Sequence, residues 1–128
     1  AGAKLLIYNR TAARAKKLAK EFTATAVPLS HLGRTPARII INATSLGMHP
    51  DIHSSPFPTQ ALKAGMIVFD TVYNPPQTRL LTEAARAGAK TISGTQMFIN
   101  QAARQFRLWT DQPAPRDLMH QVFQRCLG

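Results

Sequence analysis

Short apolar runs that end abruptly in polar side chains recur along this chain and restrict its fold more than any other feature. The first run, residues 5–8 (Leu-Leu-Ile-Tyr), has the length and composition of a strand buried on both faces. Later candidate strands at 25–28, 37–41, 66–70 and 89–92 alternate with segments of helical periodicity at 12–21, 77–87, 96–109 and 116–127. Parallel strands joined by helices produce this alternation, so the sequence predicts an α/β domain with a doubly wound parallel sheet.

The polar residues after the first run form the first candidate site. Open α/β sheets bind ligands at the carboxyl ends of their strands, where Asn9, Arg10 and Thr11 would emerge, with Arg14 in the following helix. In dinucleotide-binding folds an acidic side chain at this point accepts hydrogen bonds from the ribose of NAD and repels the extra phosphate of NADP. No acidic residue precedes Glu21, whereas a guanidinium binds phosphate bidentately and a helix capped by Thr11 adds a favourable dipole. The local chemistry favours NADP, although a polar strand end with a solvated arginine explains the same residues equally well.

The glycine-rich turn that holds the pyrophosphate in such folds has no counterpart in this sequence. It should lie between the first strand and the first helix, about 20 residues upstream of the strand-end residue. We therefore expect that the sequence is part of a longer chain and that the sheet lacks its first strand and glycine-rich loop. Because that strand is central in the usual strand order, its absence should divide the sheet in two.

The net charge of +10, from 16 basic and 6 acidic residues, raises the question of a nucleic-acid partner. The basic residues are dispersed, no run of five occurs, and aromatic residues are not interleaved with them as a stacking surface requires. No apolar run approaches the roughly 20 residues of a membrane span. A single cysteine, Cys126, is typical of a reducing compartment. We expect a cytoplasmic protein that binds neither nucleic acid nor membrane.

Two other groups of residues invite a functional interpretation. His49, Asp51 and His53 imitate a metal cluster, but a proline between the first two prevents the regular helix that would align them, so we expect no metal site. Phe106 and Trp109 fall on the apolar stripe of the helix predicted at 96–109. We expect both of these aromatic residues in the core rather than on a stacking surface.

Four stretches resemble successive signatures of the shikimate dehydrogenase family, in the family's order and spacing. A single Asn-Arg-Thr match is weak, because glutamyl-tRNA reductases carry a similar one, but four in register are specific. They cover almost the whole chain: Asn9, Arg10 and Thr11 with Arg14, then residues 42–48, 70–75 and 94–103. The resemblance is to the C-terminal, NADP-binding half of the family. Residues 93–98 and the Pro-Ala-Pro segment at 113–115 are also similar to bifunctional dehydroquinate dehydratase/shikimate dehydrogenases.

The resemblance implies one set of cofactor-binding residues and one set of substrate-binding residues. For the cofactor, Asn9, Arg10, Thr11 and Arg14 match the segment that holds the adenosine 2′-phosphate, and Thr44 and Ser45 match the loop along the ribose and pyrophosphate. Thr71 and Gly94 match positions that contact the nicotinamide end through their backbones, and Met97 packs nearby. For the substrate, Tyr73 and Gln101 match the two residues that bind shikimate through its hydroxyls and carboxylate.

Three of these positions carry less weight without the resemblance. Position alone makes Tyr73 either a loop anchor or a cleft residue, because it follows a strand end and precedes two prolines. A glutamine such as Gln101 on a helix is usually a solvated surface residue. Thr71 departs from the apolar residue often found at its position in the family, which leaves the role of its side chain open.

The function that the resemblance implies is NADP-dependent reduction of 3-dehydroshikimate to shikimate, in chorismate and aromatic amino-acid biosynthesis. Residues 1–128 would supply the cofactor-binding half. The family's catalytic Lys and Asp lie in the N-terminal half, so we expect no catalytic residue in this sequence and no activity from this piece alone. The alternatives are a quinate/shikimate dehydrogenase of different specificity and a non-catalytic paralogue that senses shikimate or quinate. The expected partners are the substrate and the N-terminal domain of the same chain, and the oligomeric state stays open, a homodimer included.

Overall fold

The computed structural model describes residues 2–127, with the side chains of 2–126, and divides between Arg38 and Ile39 into two compact units. Ala1 and Gly128, the ends of the predicted domain, lie outside the described residues. We call the two parts the N-terminal unit and the C-terminal unit. Each contains a parallel sheet of its own, so the predicted division of the sheet in two is confirmed.

The N-terminal unit contains a two-stranded parallel sheet and one α-helix. Its elements are β1 (Leu6–Ile7), α1 (Ala12–Glu21), β2 (Thr25–Ala26) and a 3₁₀ helix (Leu29–Arg34). Thr11 is the N-cap residue of α1, as predicted, but its side chain makes no capping hydrogen bond. The Oδ1 atom of Asn9 instead accepts a hydrogen bond from the amide of Thr11 at 2.8 Å. The chain therefore turns from β1 into α1 through the side chain of Asn9.

The first strand is shorter and less buried than its sequence predicts, so the expectation of burial on both faces is wrong. Leu5 is 50% exposed, β1 itself is half-buried, and β2 is the one strand that pairs with it among residues 2–127. Helix α1 buries Ala15 and Ala19 but leaves Phe22 exposed at its end. Burial on both faces requires helices on both sides of a sheet, and the described part of this unit supplies one α-helix.

The C-terminal unit is built around a three-stranded parallel sheet with the strand order β3-β4-β5. Its elements are β3 (Ile39–Asn42), a 3₁₀ helix (Thr59–Ala61), β4 (Ile67–Asp70), α2 (Arg79–Arg86), β5 (Lys90–Ile92), α3 (Gly94–Thr110) and α4 (Arg116–Leu127). Asn42 pairs with Asp70 in register, so β3 and β4 end at the same level. This alignment places the loops that follow both strands side by side.

The core of the C-terminal unit lies between its central strand and helix α2. Val68 of β4 and Leu80, Leu81 and Ala84 of α2 are at most 1% exposed. Their spacing on α2 is that of one helix face turned toward the sheet. Gly88, with a φ of 78°, lies just beyond the helix end in the left-handed conformation that favours glycine.

Two expectations about burial in this unit are wrong. Strand β3 forms the edge of its sheet, and Ile39 and Ile41 are 59% and 58% exposed although their apolar run predicts a core strand. Trp109 is 77% exposed, whereas Phe106 is half-buried and the buried face of α3 carries Ile99 and Ala103. The buried residues of this 17-residue helix lie within its first ten positions, which end at Ala103, and its last turn is exposed. None of the helices in the described range is long and apolar enough to cross a membrane.

Candidate functional site

The strand-end residues of the N-terminal unit present two free guanidinium groups at the start of a helix. Arg10, Thr11 and Arg14 are exposed, and α1 has no acidic residue in its first turn. Within residues 2–127 the two arginine side chains make neither a hydrogen bond nor an ion pair. The hydroxyl of Thr11 is not used for capping. Two cations, a hydroxyl donor and a helix N-terminus match the chemistry of a phosphate group, so these residues fit the 2′-phosphate that the sequence predicts.

A shallow groove of about 310 Å³ lies elsewhere on the same unit. Leu6 lines it from β1 and Tyr8 from the residue after that strand. Val27 lines it from the segment after β2, and His31 and Arg34 from the 3₁₀ helix. None of the residues predicted to bind the cofactor lines this groove. The predicted phosphate site is therefore an exposed surface at the strand end rather than an enclosed cavity.

Two buried polar side chains join the ends of β3 and β4 in the C-terminal unit. Asn42 is 4% exposed and Asp70 is fully buried, and the Nδ2 atom of Asn42 donates to Oδ1 of Asp70 at 2.9 Å. Asp70 also accepts from the amide of Val72 at 3.0 Å and from the hydroxyl of Thr78 at 2.7 Å. Thr78 in turn accepts from the amide of Leu81 as the N-cap of α2. One carboxylate thus connects both strands to the start of the next helix.

Thr44 and Ser45, predicted to line the cofactor, lie in the exposed loop after β3. The hydroxyl of Thr44 donates to Oδ1 of Asn42 at 2.7 Å and accepts from the amide of Leu46 at 3.2 Å. The amide of Thr44 donates to the same Oδ1 atom at 3.0 Å. The side chain of Thr44 therefore shapes the loop, and the exposed hydroxyl of Ser45 makes no hydrogen bond among the described residues.

Thr71 and Gly94, predicted to contact the nicotinamide end, lie against each other. A Cβ atom added at Gly94 would stand 2.5 Å from the carbonyl oxygen of Thr71 and 2.4 Å from that of Val72. Only glycine permits this approach of α3 to the loop after β4. The hydroxyl of Thr71 donates to the carbonyl oxygen of Asn42 at 2.9 Å, which gives this side chain a structural role.

Tyr73, predicted to bind the substrate, has its ring held in an aromatic cluster. Its ring centroid lies 4.8 Å from that of Phe98 in α3 and 6.3 Å from that of Phe123 in α4. Met97 and Gln101 are one turn apart on α3, and both are exposed. The structure therefore brings Tyr73 to the first turns of α3, the helix that carries the other predicted substrate residue.

A second group of hydrogen bonds joins the long loop after β3 to helix α2. Partial burial of Glu83 raises the pKa of its carboxyl, but hydrogen bonds from Arg79 and Thr59, both at 2.7 Å, outweigh that effect and hold the pKa below its ordinary value. Arg79 also donates to the carbonyl oxygen of His53 at 2.7 Å. In the range 2–127 no group of three or more His, Cys, Asp or Glu side chains is arranged to hold a metal ion.

Several residues of this site are missed by the sequence predictions. Asn42, Asp70 and Thr78 form the buried network, and Phe98 and Phe123 hold the ring of Tyr73. A signal for the first two exists, since each is the polar residue that ends an apolar run. The hydroxyl of Thr95, at the start of α3, is also buried without a hydrogen-bond partner among the described residues.

Comparison with known proteins assigns the chain to a family. A sequence profile described as the shikimate 5′-dehydrogenase C-terminal domain matches residues 94–122. A shikimate dehydrogenase (NADP(+)) of Methanosarcina acetivorans is 43% identical over 136 aligned positions, which cover 98% of this chain and 48% of that protein. The chain belongs to the shikimate dehydrogenase family. The predicted resemblance is confirmed.

Two solved structures share the fold of this shikimate dehydrogenase domain. The shikimate 5-dehydrogenase of Thermus thermophilus, in complex with NADP(H) and shikimate, matches with a TM-score of 0.85 and 37% identity over 98% of this chain and 47% of that one. The quinate dehydrogenase of Corynebacterium glutamicum, in complex with NAD, matches with a TM-score of 0.87 and 30% identity over 95% of this chain and 46% of that one. The chain spans about half the length of these relatives. Because these two proteins share a fold but bind NADP(H) in one case and NAD in the other, the backbone fold alone does not determine which cofactor binds, and the side chains must.

Proposed function

We propose that this chain is the cofactor-binding half of an NADP-dependent shikimate dehydrogenase, which reduces 3-dehydroshikimate to shikimate. The observation that carries the proposal concerns Arg10 and Arg14 at the carboxyl end of β1, whose guanidinium groups make no hydrogen bond or ion pair within residues 2–127. They stand at the N-terminus of a ten-residue helix whose first acidic residue, Glu21, lies at its far end. An NAD-specific site places a carboxylate where this chain has Asn9 and Arg10.

The residues of the first turn each supply part of a phosphate site. The guanidinium groups of Arg10 and Arg14 neutralise the doubly charged 2′-phosphate. The hydroxyl of Thr11, which makes no capping hydrogen bond to α1, donates one hydrogen bond to the phosphate. Asn9 holds the turn itself through its bond to the amide of Thr11. NADH has a hydroxyl in place of this phosphate and gains little from two cations.

The C-terminal unit holds the rest of the dinucleotide and part of the substrate. The proposed cofactor contacts are Thr44, Ser45, Thr71, Gly94 and Met97, and the proposed substrate contacts are Tyr73 and Gln101. The contact between Gly94 and the loop after β4 supports this assignment, because it fixes the start of α3 beside Thr71. The aromatic cluster around Tyr73 supports it as well, since a ring packed against two phenylalanine rings directs its hydroxyl to a defined place.

When bound, NADPH supplies the hydride for the ketone carbon of 3-dehydroshikimate. The residues of this chain bind and orient the two ligands, and none of them is proposed as the acid that protonates the ketone oxygen. That proton transfer belongs to the Lys and Asp of the family's N-terminal domain, which we propose as the partner of residues 1–128 in the same chain. By itself this piece is expected to bind cofactor without turnover.

Kinetics of the full-length protein test the function directly. Oxidation of shikimate and of quinate is measured with NADP⁺ and with NAD⁺, which gives four values of kcat/KM. We expect the highest value for shikimate with NADP⁺. A preference for NAD⁺ with either substrate refutes the phosphate role of Arg10 and Arg14, and a preference for quinate with NADP⁺ leaves the cofactor assignment but refutes the substrate.

Quinate oxidation is the second candidate function, and the match to a quinate dehydrogenase at a TM-score of 0.87 favours it. A non-catalytic sensor is the third, and binding of shikimate or quinate without turnover by the full-length protein would support it. We place the protein in the cytoplasm on the basis of its single cysteine.

A further inference from the structure

Asn42 and Asp70 form a buried polar pair at the point where the two central loops of the C-terminal unit begin. The two residues are paired in register at the ends of β3 and β4, and their side chains are joined by a 2.9 Å hydrogen bond. Asp70 is fully buried, and the one ion pair among residues 2–126 joins Arg79 to Glu83 instead. Burying a carboxylate without a cation lowers the stability of the fold unless hydrogen bonds compensate. The three donors to Asp70 provide this compensation, and the segments that carry them show which parts of the structure Asp70 holds together.

Asn42 fixes the loop that follows β3. Its Oδ1 atom accepts from both the amide and the hydroxyl of Thr44, and its Nδ2 atom donates to the carbonyl oxygen of Leu46 at 3.2 Å. Every hydrogen-bonding atom of the Asn42 side chain therefore has a partner in this loop or in Asp70. The loop has little freedom to change shape while the asparagine stays in place.

Asp70 fixes the loop that follows β4. One carboxylate oxygen accepts from the amide of Val72, and the other accepts from the hydroxyl of Thr78, where the loop ends and α2 begins. The amide and the hydroxyl of Thr71 both donate to the carbonyl oxygen of Asn42. Asp70 thus binds both ends of the segment that carries Tyr73.

We propose that Asn42 and Asp70 are positioning residues that set the cofactor loop and the substrate loop in one geometry. The inference rests on the proposed function, because Ser45 and Thr71 face the cofactor and Tyr73 the substrate only if that function is right. The side chains of Asn42 and Asp70 are not proposed to contact the cofactor or the substrate. The pair connects the cofactor loop and the substrate loop through a single hydrogen bond between buried side chains.

The first test compares Asp70→Ala with Asp70→Asn in the full-length protein. Asp70→Ala removes the acceptors of three hydrogen bonds and should raise KM for both NADP⁺ and shikimate by about tenfold or more. Asp70→Asn should restore most of this loss, because its oxygen can accept from Asn42 and Val72 while its amide donates to the hydroxyl of Thr78. An Asp70→Ala protein with a lower Tm but unchanged KM values overturns the proposal, since a purely structural role changes only the amount of folded enzyme.

A second pair of variants keeps the test decisive if Asp70→Ala does not fold. Thr78→Val removes one donor to Asp70, whereas Thr82→Val, one turn later on α2, removes only a hydroxyl bonded to the helix backbone at 3.0 Å. Thr78→Val should raise KM for shikimate several-fold, and Thr82→Val should leave both KM values unchanged. Equal effects of the two substitutions would overturn the positioning role.

The outcomes for the wild-type protein separate this inference from the proposed function. A wild-type protein that binds neither NADPH nor shikimate in calorimetric titration refutes the proposed function and the inference with it. A wild type that binds both ligands, together with Asp70 and Thr78 variants that bind them equally well, refutes the inference alone.

Discussion

Replacing Arg10 with alanine in the full-length protein isolates the contact that the proposed cofactor preference depends on. One lost hydrogen bond between a guanidinium and a phosphate weakens binding by about 1.5–3 kcal/mol, or roughly 12- to 150-fold in Kd. Arg10 is exposed, so screening by solvent and salt places the expected loss for NADPH near the lower end, about tenfold. NADH lacks the 2′-phosphate, and its Kd should hardly change.

Lys20→Ala is the matched control for this substitution. It removes one positive charge near the end of helix α1, the helix that begins just after Arg10. Lys20 lies nine residues after the N-cap Thr11, which is about 13 Å along the helix axis. That separation exceeds the Debye length of about 8 Å at physiological ionic strength, so Lys20 should not affect the phosphate. Calorimetric or fluorescence titration with NADPH and NADH at that ionic strength gives all the values needed.

Two results would refute the reasoning about Arg10. Equal weakening of NADPH and NADH binding would mean that Arg10 supports the fold or another part of the dinucleotide. Equal weakening of NADPH binding by Arg10→Ala and Lys20→Ala would mean that the net charge of the N-terminal unit, with eight basic residues and one acidic residue before Ile39, attracts the cofactor without a specific contact.

Three further substitutions test the C-terminal unit. Gly94→Ala places a Cβ atom about 2.5 Å from two backbone oxygens of the loop after β4 and should lower the Tm by about 3–10 °C while weakening NADPH binding; an unchanged Tm in a thermal melt would contradict the close approach. Tyr73→Phe keeps the packed ring but removes its hydroxyl, so KM for shikimate should rise by roughly 2- to 13-fold with no change in the Kd of NADPH, and a parallel change in both would argue for a loop anchor. Glu83 has a lowered pKa because hydrogen bonds from Arg79 and Thr59 outweigh its partial burial, so its stabilising effect is present at neutral pH and lost as pH falls through the folded-state pKa. Glu83→Gln should therefore lower the Tm at pH 7, and this difference should shrink as the pH falls below the ordinary pKa of a glutamate; a Tm difference independent of pH would exclude this origin.

The order and type of the elements could be predicted from the sequence because both depend on local patterns. The last helix is found at Arg116–Leu127, where the periodicity places it, and α1 at Ala12–Glu21 agrees equally well. Strand ends were less accurate: the run at 37–41 predicts a strand that the structure begins at Ile39 and ends at Asn42. A polar residue closes a run in sequence but can still form ladder hydrogen bonds, as Asn42 does opposite Asp70. The short 3₁₀ helix at Thr59–Ala61 directly follows a proline-rich segment, and the sequence gives no signal for it.

Burial could not be predicted at the same level, because it depends on the neighbours of an element rather than on its own composition. Ile39 and Ile41 have the side chains of a core strand, yet they are exposed at the edge of their sheet. Trp109 continues the apolar stripe of α3 beyond the buried part of that helix, which ends at Ala103. The individual site residues could be named from motifs, but the bond between Asn42 and Asp70 depends on strand register, which the sequence does not specify.

The two units should respond differently to substitutions in their parts of the site. In the N-terminal unit the side chains of Arg10 and Arg14 are exposed and bonded to nothing in the described range, so changing them should remove the proposed phosphate contact and leave the fold intact. In the C-terminal unit the loops are bonded to the buried pair of Asn42 and Asp70, so a change there alters stability and ligand geometry together. If the proposed function is right, substitutions at these surface residues alone should alter cofactor choice. Substitutions that alter the proposed substrate geometry should also change stability, because Tyr73 lies on a loop whose two ends are bonded to a core carboxylate.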